Sequence, residues 1–163
     1  MPDRYTLVLE VDAATLAAET AVREECFGPA VLLARYDGEA ELLPALAAFD
    51  GQLSAAVFAQ PDEEAELVAA ISRLLTERVG RLVFDAFPTG VAVTWAMQHG
   101  GPYPATTAPG HTSVGMTATR RFMRPVAWQS APQAVLPPEL RDGNERRIWR
   151  RVNGRMTDGA VTS

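Results

Sequence analysis

The chain has 163 residues, is 47% apolar and carries 15 basic against 20 acidic residues, the make-up of one soluble globular domain with a net charge of −5. That balance argues against nonspecific nucleic-acid binding, which needs a phosphate-neutralising face. No apolar run approaches the ~20 residues of a membrane span, and Met1 to Arg4 lead directly into a strand-like run with no signal peptide, so a cytoplasmic location is expected. The single cysteine, Cys26, excludes an intrachain disulfide and a multi-cysteine zinc site. With only His99 and His111 beside it, no metal centre is expected.

In chain order, Tyr5 to Val11 (YTLVLEV) is β-rich and reads as a short strand. Ala13 to Arg23 has helical composition, with Asp12 or Thr15 placed to cap it. The near-continuous apolar run Ala30 to Tyr36 predicts a strand buried on both faces. Leu42, Leu43, Leu46 and Phe49 give Glu39 to Phe49 helical spacing, which Gly51 stops. Leu53 to Ala59 reads as the next strand and Gln60 to Asp62 as a turn. Glu63 to Val79 is the clearest helix. Its apolar stripe is Leu67, Ala70, Ile71, Leu74 and Leu75, its start is acidic at Glu63, Glu64 and Glu66, and Gly80 ends it. The cluster Asp62, Glu63, Glu64 and Glu66 is read as that solvated helix start. Arg81 to Phe84 follows as a short strand. Strands alternating with helices over short connections predict an α/β fold with a parallel sheet.

From Ala86 to Gly110 the composition shifts to dense Gly and Pro with interspersed aromatics, and a loop this long in a compact domain is usually functional. Thr112 to Met123 then reads as a helix and Pro125 to Gln129 as a strand. Asn153-Gly154, between two β-like runs, signals a type I′ hairpin within Ile148 to Thr157. The arginines 141, 146, 147, 150 and 151 suit a surface or subunit contact in a chain that is acidic as a whole. No G-x-S-x-G elbow accompanies His99, His111 and the nearby Ser and Thr residues, which disfavours a Ser-His-Asp hydrolase. There is no P-loop and no G-x-G-x-x-G cradle.

Four blocks stand out in order: EECFGP (Glu24 to Pro29), FPTG (Phe87 to Gly90), HGGPYPATT (His99 to Thr107) and TSVG (Thr112 to Gly115), followed by RRFMRPVAWQ (Arg120 to Gln129). In this order and spacing they resemble the C-terminal part of the NAD(P)-dependent aldehyde dehydrogenase family, in its α-ketoglutarate semialdehyde (2,5-dioxopentanoate) branch. The resemblance runs from about Tyr5 to the final hairpin. It implies an α/β architecture: residues 1–124 as the later, parallel-sheet part of the catalytic domain, and 125–163 as an oligomerisation strand (Pro125 to Gln129) with a C-terminal tail and hairpin.

By the same resemblance, Glu25 matches the glutamate that hydrogen-bonds the nicotinamide ribose, and Phe27 the aromatic beside the nicotinamide. A carboxylate accepting two hydroxyls and a flat ring suit those roles. Read from the residues alone, Glu25 is equally a solvated last-turn glutamate and Phe27 a core anchor. Phe87, Trp95, His99 and Tyr103 would line the aldehyde pocket, or else belong to a packed irregular loop. Asp85-Ala86 stand where relatives often carry Asn-Gly before Phe-Pro-Thr-Gly, and Trp95 where many carry histidine; both bear on substrate choice. Cys26 occupies a slot usually filled by Val or Ile, so it reads as a small buried residue and not as the nucleophile. The family's thiol, general-base glutamate and dinucleotide-binding domain match no part of this chain. The resemblance therefore implies no catalytic residue here, and NAD or NADP bound only in a complete enzyme. The expected partner is an N-terminal dehydrogenase half or a second copy of the chain. The other function considered is an inactive oligomerising or binding domain.

Overall fold

A computed structural model describes residues 5–60 and 64–162. The expected turn at Gln60 to Asp62, and Asp62 and Glu63 of the acidic cluster, fall wholly or partly outside the described residues. Two compact units divide the chain, Met1–Met123 and Arg124–Ser163.

The first unit opens with β1 (Leu7–Asp12), whose last residue also starts the helix α1 (Ala13–Ala18). Asp12 is extended, and its Oδ1 accepts the Thr15 backbone N–H at 2.6 Å, satisfying one of the orphan donors of the first turn. That backbone bond, with a smaller contribution from the Thr15 side chain, holds the Asp12 carboxyl below its ordinary pKa. The expected single helix to Arg23 breaks at Glu19, whose extended backbone (φ −98°, ψ 107°) separates α1 from the short α2 (Thr20–Arg23). Arg23 stabilises the break. Its guanidinium donates to the Leu16 and Ala17 carbonyls at 2.6 and 2.8 Å, groups that the end of α1 would otherwise leave unpaired.

β2 (Ala30–Arg35) pairs in parallel with β1, Leu9 opposite Leu32 and Val11 opposite Ala34. The expectation that β2 is buried on both faces is corrected, because its residues alternate half-buried and exposed. Leu32 and Ala34, with Val11, pack on Ala13 and Leu16 of α1 and on Ala45; the opposite face carries Val8, Val31 and Leu33 in solvent. Helices lie on one side only, and even there Leu7 and Leu9 of β1 stay 52% and 47% exposed.

α3 (Glu39–Ala47) joins two cores. Ala45, with Phe49 just beyond the helix, packs in the first; Leu42, Leu43 and Leu46 pack in the second, around Val57, Ile71 and Leu75. That second core lies between α4 (Ala65–Thr76) and the parallel pair of β3 (Gln52–Val57) with β4 (Val79–Phe84), in which Ala55 faces Leu82. The single parallel sheet expected from the strand-helix alternation is therefore two separate parallel pairs, since β2 and β3 share no ladder. Gly80 lies inside β4 and does not end α4, which stops at Thr76 with the Glu77 N–H bonded to the Leu75 carbonyl. In place of the helix expected over Thr112 to Met123 there is one 3₁₀ segment, Ala118–Phe122. Gly115 at φ +88° and the Thr112 side chain bonded to nearby backbone hold the preceding residues in turns.

The second unit carries the antiparallel hairpin β5 (Arg150–Val152) and β6 (Arg155–Thr157). Its turn residues Asn153 and Gly154 both have positive φ, 49° and 84°, as a type I′ turn demands. Pro125 to Gln129 forms no strand among the described residues; all five are exposed, and a strand exists only against a neighbour that completes its hydrogen bonds. The organising polar residue is Asn144, 3% exposed. Its Nδ2 donates to the Ile148 and Asp158 carbonyls at 3.0 and 2.8 Å, and its Oδ1 accepts the Ile148 N–H at 3.0 Å. Arg147 pairs with Asp158 and Arg146 with Glu139, while Arg141 donates to the Leu136 carbonyl and Arg150 to the Arg141 and Asp142 carbonyls. Four of the five arginines noted in the sequence thus serve this unit's own backbone and carboxylates. Among the described residues no helix is long and apolar enough to cross a membrane.

The Asp12 cap yields a pH-dependent expectation. A carboxyl whose folded pKa is depressed stabilises the fold above its unfolded value, about 3.9, and loses that contribution as the pH falls through the folded value. Asp12→Ala is expected to melt below the parent chain at pH 7. The gap should close as the pH drops below about 4. Thermal unfolding of both chains across that range checks it, and coincident melting at pH 7 would show that the cap contributes nothing.

Candidate functional site

The first unit contains a cleft of about 500 Å³. Thr20, Arg23, Glu24 and Glu25 form one wall, Asp50 to Ser54 at the start of β3 another, and Pro104 and Ala105 of the long loop reach its rim. A volume of this order suits a small organic ligand. Arg23 fixes the first wall: by folding α2 back on the end of α1, it aims the following Glu24 and Glu25 at the cleft. No sequence signal announces this role, because the carbonyls that Arg23 meets belong to a helix end created by the break at Glu19.

Glu25 lies in that wall, exposed, and its side chain bonds no described residue. An exposed carboxylate in the wall of a cleft is a ready acceptor for a vicinal diol. Phe27 is 93% exposed, so reading it as a core anchor is corrected; the segment Glu24 to Pro29 is exposed throughout. Cys26 is likewise exposed, not buried as expected. His99 and His111 belong to no group of potential metal ligands among the described residues.

The long loop is seated by backbone packed on backbone. A Cβ on Gly101 would lie 2.5 Å from the Gln52 carbonyl oxygen at the start of β3, and one on Gly80 would lie 2.7 Å from the Gly100 carbonyl carbon. Gly51 is equally close to the carbonyls of Pro102 and Tyr103. Gly100 and Gly101 of the HGGPYP block therefore lie against Gly80 in β4, and Gly101 also against Gln52 in β3, while Gly51 lies under Pro102 and Tyr103, an approach that side chains would prevent. Gly101 also has φ +122°.

From that seat the loop is tied to the TSVG block. Thr112, 3% exposed, accepts the His99 N–H on its Oγ1 at 2.9 Å and donates to the Val114 carbonyl at 2.8 Å; the Ser113 N–H donates to the His99 carbonyl at 2.9 Å. The Gln98 amide donates to the His111 carbonyl at 3.2 Å. A second anchor comes from β4, where the Arg81 guanidinium donates to the carbonyls of Pro88 and Gly90 at 2.6 and 2.7 Å. Arg81 thus holds the FPTG turn, a role that its place in a short strand does not announce.

The expected pocket residues are spread along this loop. Phe87 packs at a tilt against Phe58, with ring centroids 5.2 Å apart, and remains 76% exposed. Trp95 and Tyr103 are exposed, and Tyr103 precedes the cis peptide to Pro104. His99 is half-buried, its backbone engaged and its Nδ1 enclosed with no partner among the described residues. None of the four lines the cleft that holds Glu25; the loop reaches it through Pro104 and Ala105.

Comparison with known proteins places the sequence. No family profile matches the chain. It is 44% identical over 144 residues to an alpha-ketoglutaric semialdehyde dehydrogenase of Acinetobacter baylyi, a match covering 87% of this chain and 27% of that protein. It is 42% identical over 146 residues to alpha-ketoglutaric semialdehyde dehydrogenase 2 of Azospirillum brasilense, covering 90% of this chain and 28% of the relative. The chain thus spans little more than a quarter of the length of these relatives.

Gly101→Ala is expected to destabilise the first unit by at least about 2 kcal/mol, from the positive φ and the Gln52 contact together. Gly110→Ala, with nothing within 4 Å of its Cβ, serves as control and should change stability by less than about 1 kcal/mol. Denaturant unfolding of both variants decides it; equal stabilities would mean that the loop is not seated this way.

Proposed function

Because the chain is homologous to a segment of the alpha-ketoglutaric semialdehyde dehydrogenases and so belongs with the aldehyde dehydrogenases, we propose that it forms the cofactor-edge and pocket-loop part of an NAD(P)-dependent semialdehyde dehydrogenase. The reading rests on identity above 40% across nearly the whole chain, in the region that carries EECFGP, HGGPYP and TSVG. In it, a companion segment supplies the thiol, the general base and the dinucleotide-binding domain.

Glu25 is the residue of this chain that would face the cofactor. Its carboxylate, which bonds no described residue, can accept both hydroxyls of the nicotinamide ribose, and the exposed ring of Phe27, two residues on, offers a flat surface beside the pyridine. NAD(P)+, when bound, supplies the hydride acceptor. The companion's thiolate adds to the aldehyde carbon, a hydride leaves that carbon, and water releases the thioester as a carboxylate. Phe87, Trp95, His99 and Tyr103 would shape the loop against the organic acid. Arg81 and Thr112 act through the loop backbone, as positioning residues.

Alone, the chain is expected to form no NADH or NADPH from α-ketoglutaric semialdehyde. Mixed with the unmatched portion of the Azospirillum brasilense relative, it should restore formation of the reduced nicotinamide, followed by its near-ultraviolet absorbance. Glu25→Gln should lower kcat/KM about tenfold or more, chiefly through cofactor KM, since one charge-assisted acceptor is lost. Absence of reduced cofactor in every mixture would remove the reading.

A second reading, an inactive self-associating domain, draws on exposed apolar groups: Phe122 is 88% exposed, and Val126 and Trp128 of the unpaired Pro125 to Gln129 segment are also in solvent. A strictly monomeric species at micromolar concentration in sedimentation velocity would count against it.

A further inference from the structure

The chain holds two asparagines, Asn144 and Asn153, and the fold treats them oppositely. Asn144 is buried, with its Nδ2 given to the Ile148 and Asp158 carbonyls and its Oδ1 to the Ile148 N–H. The next residue is Glu145, whose side chain crowds the peptide nitrogen. Asn153 is exposed at the tip of the β5–β6 hairpin, and its side chain bonds no described residue. The next residue is Gly154, also exposed. A Cβ built on Gly154 would meet nothing within 4 Å, and its N–H donates to no described group.

An amide carbonyl beside an unhindered, unengaged peptide nitrogen is an electrophile and a nucleophile held together on one chain, and ring closure gains from that proximity. The Gly154 nitrogen, once its proton passes to solvent, adds to Cγ of Asn153. The bond from Cγ to the side-chain nitrogen breaks, that nitrogen takes up a proton from water and ammonia leaves, and a succinimide ring remains. Water opens the ring at either carbonyl carbon. One opening gives aspartate; the other gives isoaspartate, with the main chain running through Cβ and Cγ. Ammonia is lost and water is consumed, and no oxidant or cofactor takes part.

The turn itself opposes ring closure, because Asn153 must leave its left-handed conformation, φ 49°. The hairpin resists this weakly. It has three residues in each strand, and a pair this short is marginal. The bonds that tie it to the rest of the unit, from Arg150 to the Arg141 and Asp142 carbonyls and from Asn144 to the Asp158 carbonyl, sit at its base and not at its tip. Local opening at the tip therefore costs little beside unfolding of the unit.

We infer that Asn153 is a modification site, converted spontaneously in the folded chain through a succinimide to aspartate and isoaspartate. The product places a carboxylate in a turn flanked by Arg151 and Arg155. In its isoaspartate form it also lengthens the turn by a backbone atom, so that the Val152–Arg155 pairing no longer fits a type I′ geometry. The inference stands apart from the proposed function and needs no companion segment.

The test holds the full chain at mildly alkaline pH and physiological temperature, beside the same chain in denaturant and the variant Asn153→Gln, whose longer side chain closes a succinimide-type ring far less readily. A protease that cuts before aspartate releases Asp142 to Thr157, which carries both asparagines. Conversion adds about one mass unit to this peptide, and fragmentation in the mass spectrometer assigns it to a residue. Aspartate at position 153 adds a cut after Val152, and isoaspartate does not. Native Asn153 should convert at a rate within about tenfold of that in denaturant, and native Asn144 at least about a hundredfold more slowly than Asn153. Asn153→Gln should remove the mass gain. A native rate at Asn153 lower than that, or a mass gain that the variant keeps, would overturn the inference.

Discussion

Four glycines placing backbone directly against backbone organise the first unit. Gly51 and Gly80 stand at the entrances of β3 and β4, Gly100 and Gly101 in the loop that crosses them. A Cβ on Gly51, Gly80 or Gly101 would come within 2.5–2.7 Å of a backbone atom across the contact, and one on Gly100 within 2.7 Å of the His111 carbonyl oxygen, which leaves no room for another residue. Without that contact the chain between Phe84 and Thr112 has no regular element to hold it. With it, the Thr112 hydroxyl, the Gln98 amide and the Arg81 guanidinium have fixed carbonyls and amides to engage. Each is a short polar bond worth about 1 kcal/mol on its own, and together they turn a Gly- and Pro-rich stretch into a defined loop. The loop in turn brings Pro104 and Ala105 to the cleft where Glu25 lies.

Local signals in the sequence carry the element order. Asp12 ahead of an apolar run marks a capped helix, the stripe ending in Leu74 and Leu75 marks α4, and Asn153-Gly154 marks the hairpin. The misses share a physical origin: they depend on contacts beyond the reach of local pattern. The apolar run of β2 suggests cover on both sides, yet only the α1 and α3 side is packed. Thr112 to Met123 has the composition of a helix, yet side-chain bonds to its own backbone hold its first residues in turns. Pro125 to Gln129 has strand residues and no strand to meet.

The candidate site is legible as motifs and not as geometry. Glu25 stands out from its block and does line the cleft, but the residues that place it, Arg23 and the broken helix before it, carry no signal in the sequence. Phe27 and Cys26 read as buried because small and aromatic residues usually are; both are exposed. Phe27 and the half-exposed Val8, Val31 and Leu33 of β1–β2 are apolar groups that this unit leaves in solvent.

Amide hydrogen exchange on the isolated chain tests the glycine-seated loop most directly. The His99 N–H, bonded to the Thr112 hydroxyl, and the Ser113 N–H, bonded to the His99 carbonyl, should exchange at least about a hundredfold more slowly than in a free chain. Exchange of both at the free-chain rate, while the amides of β3 and β4 stay protected, would contradict it.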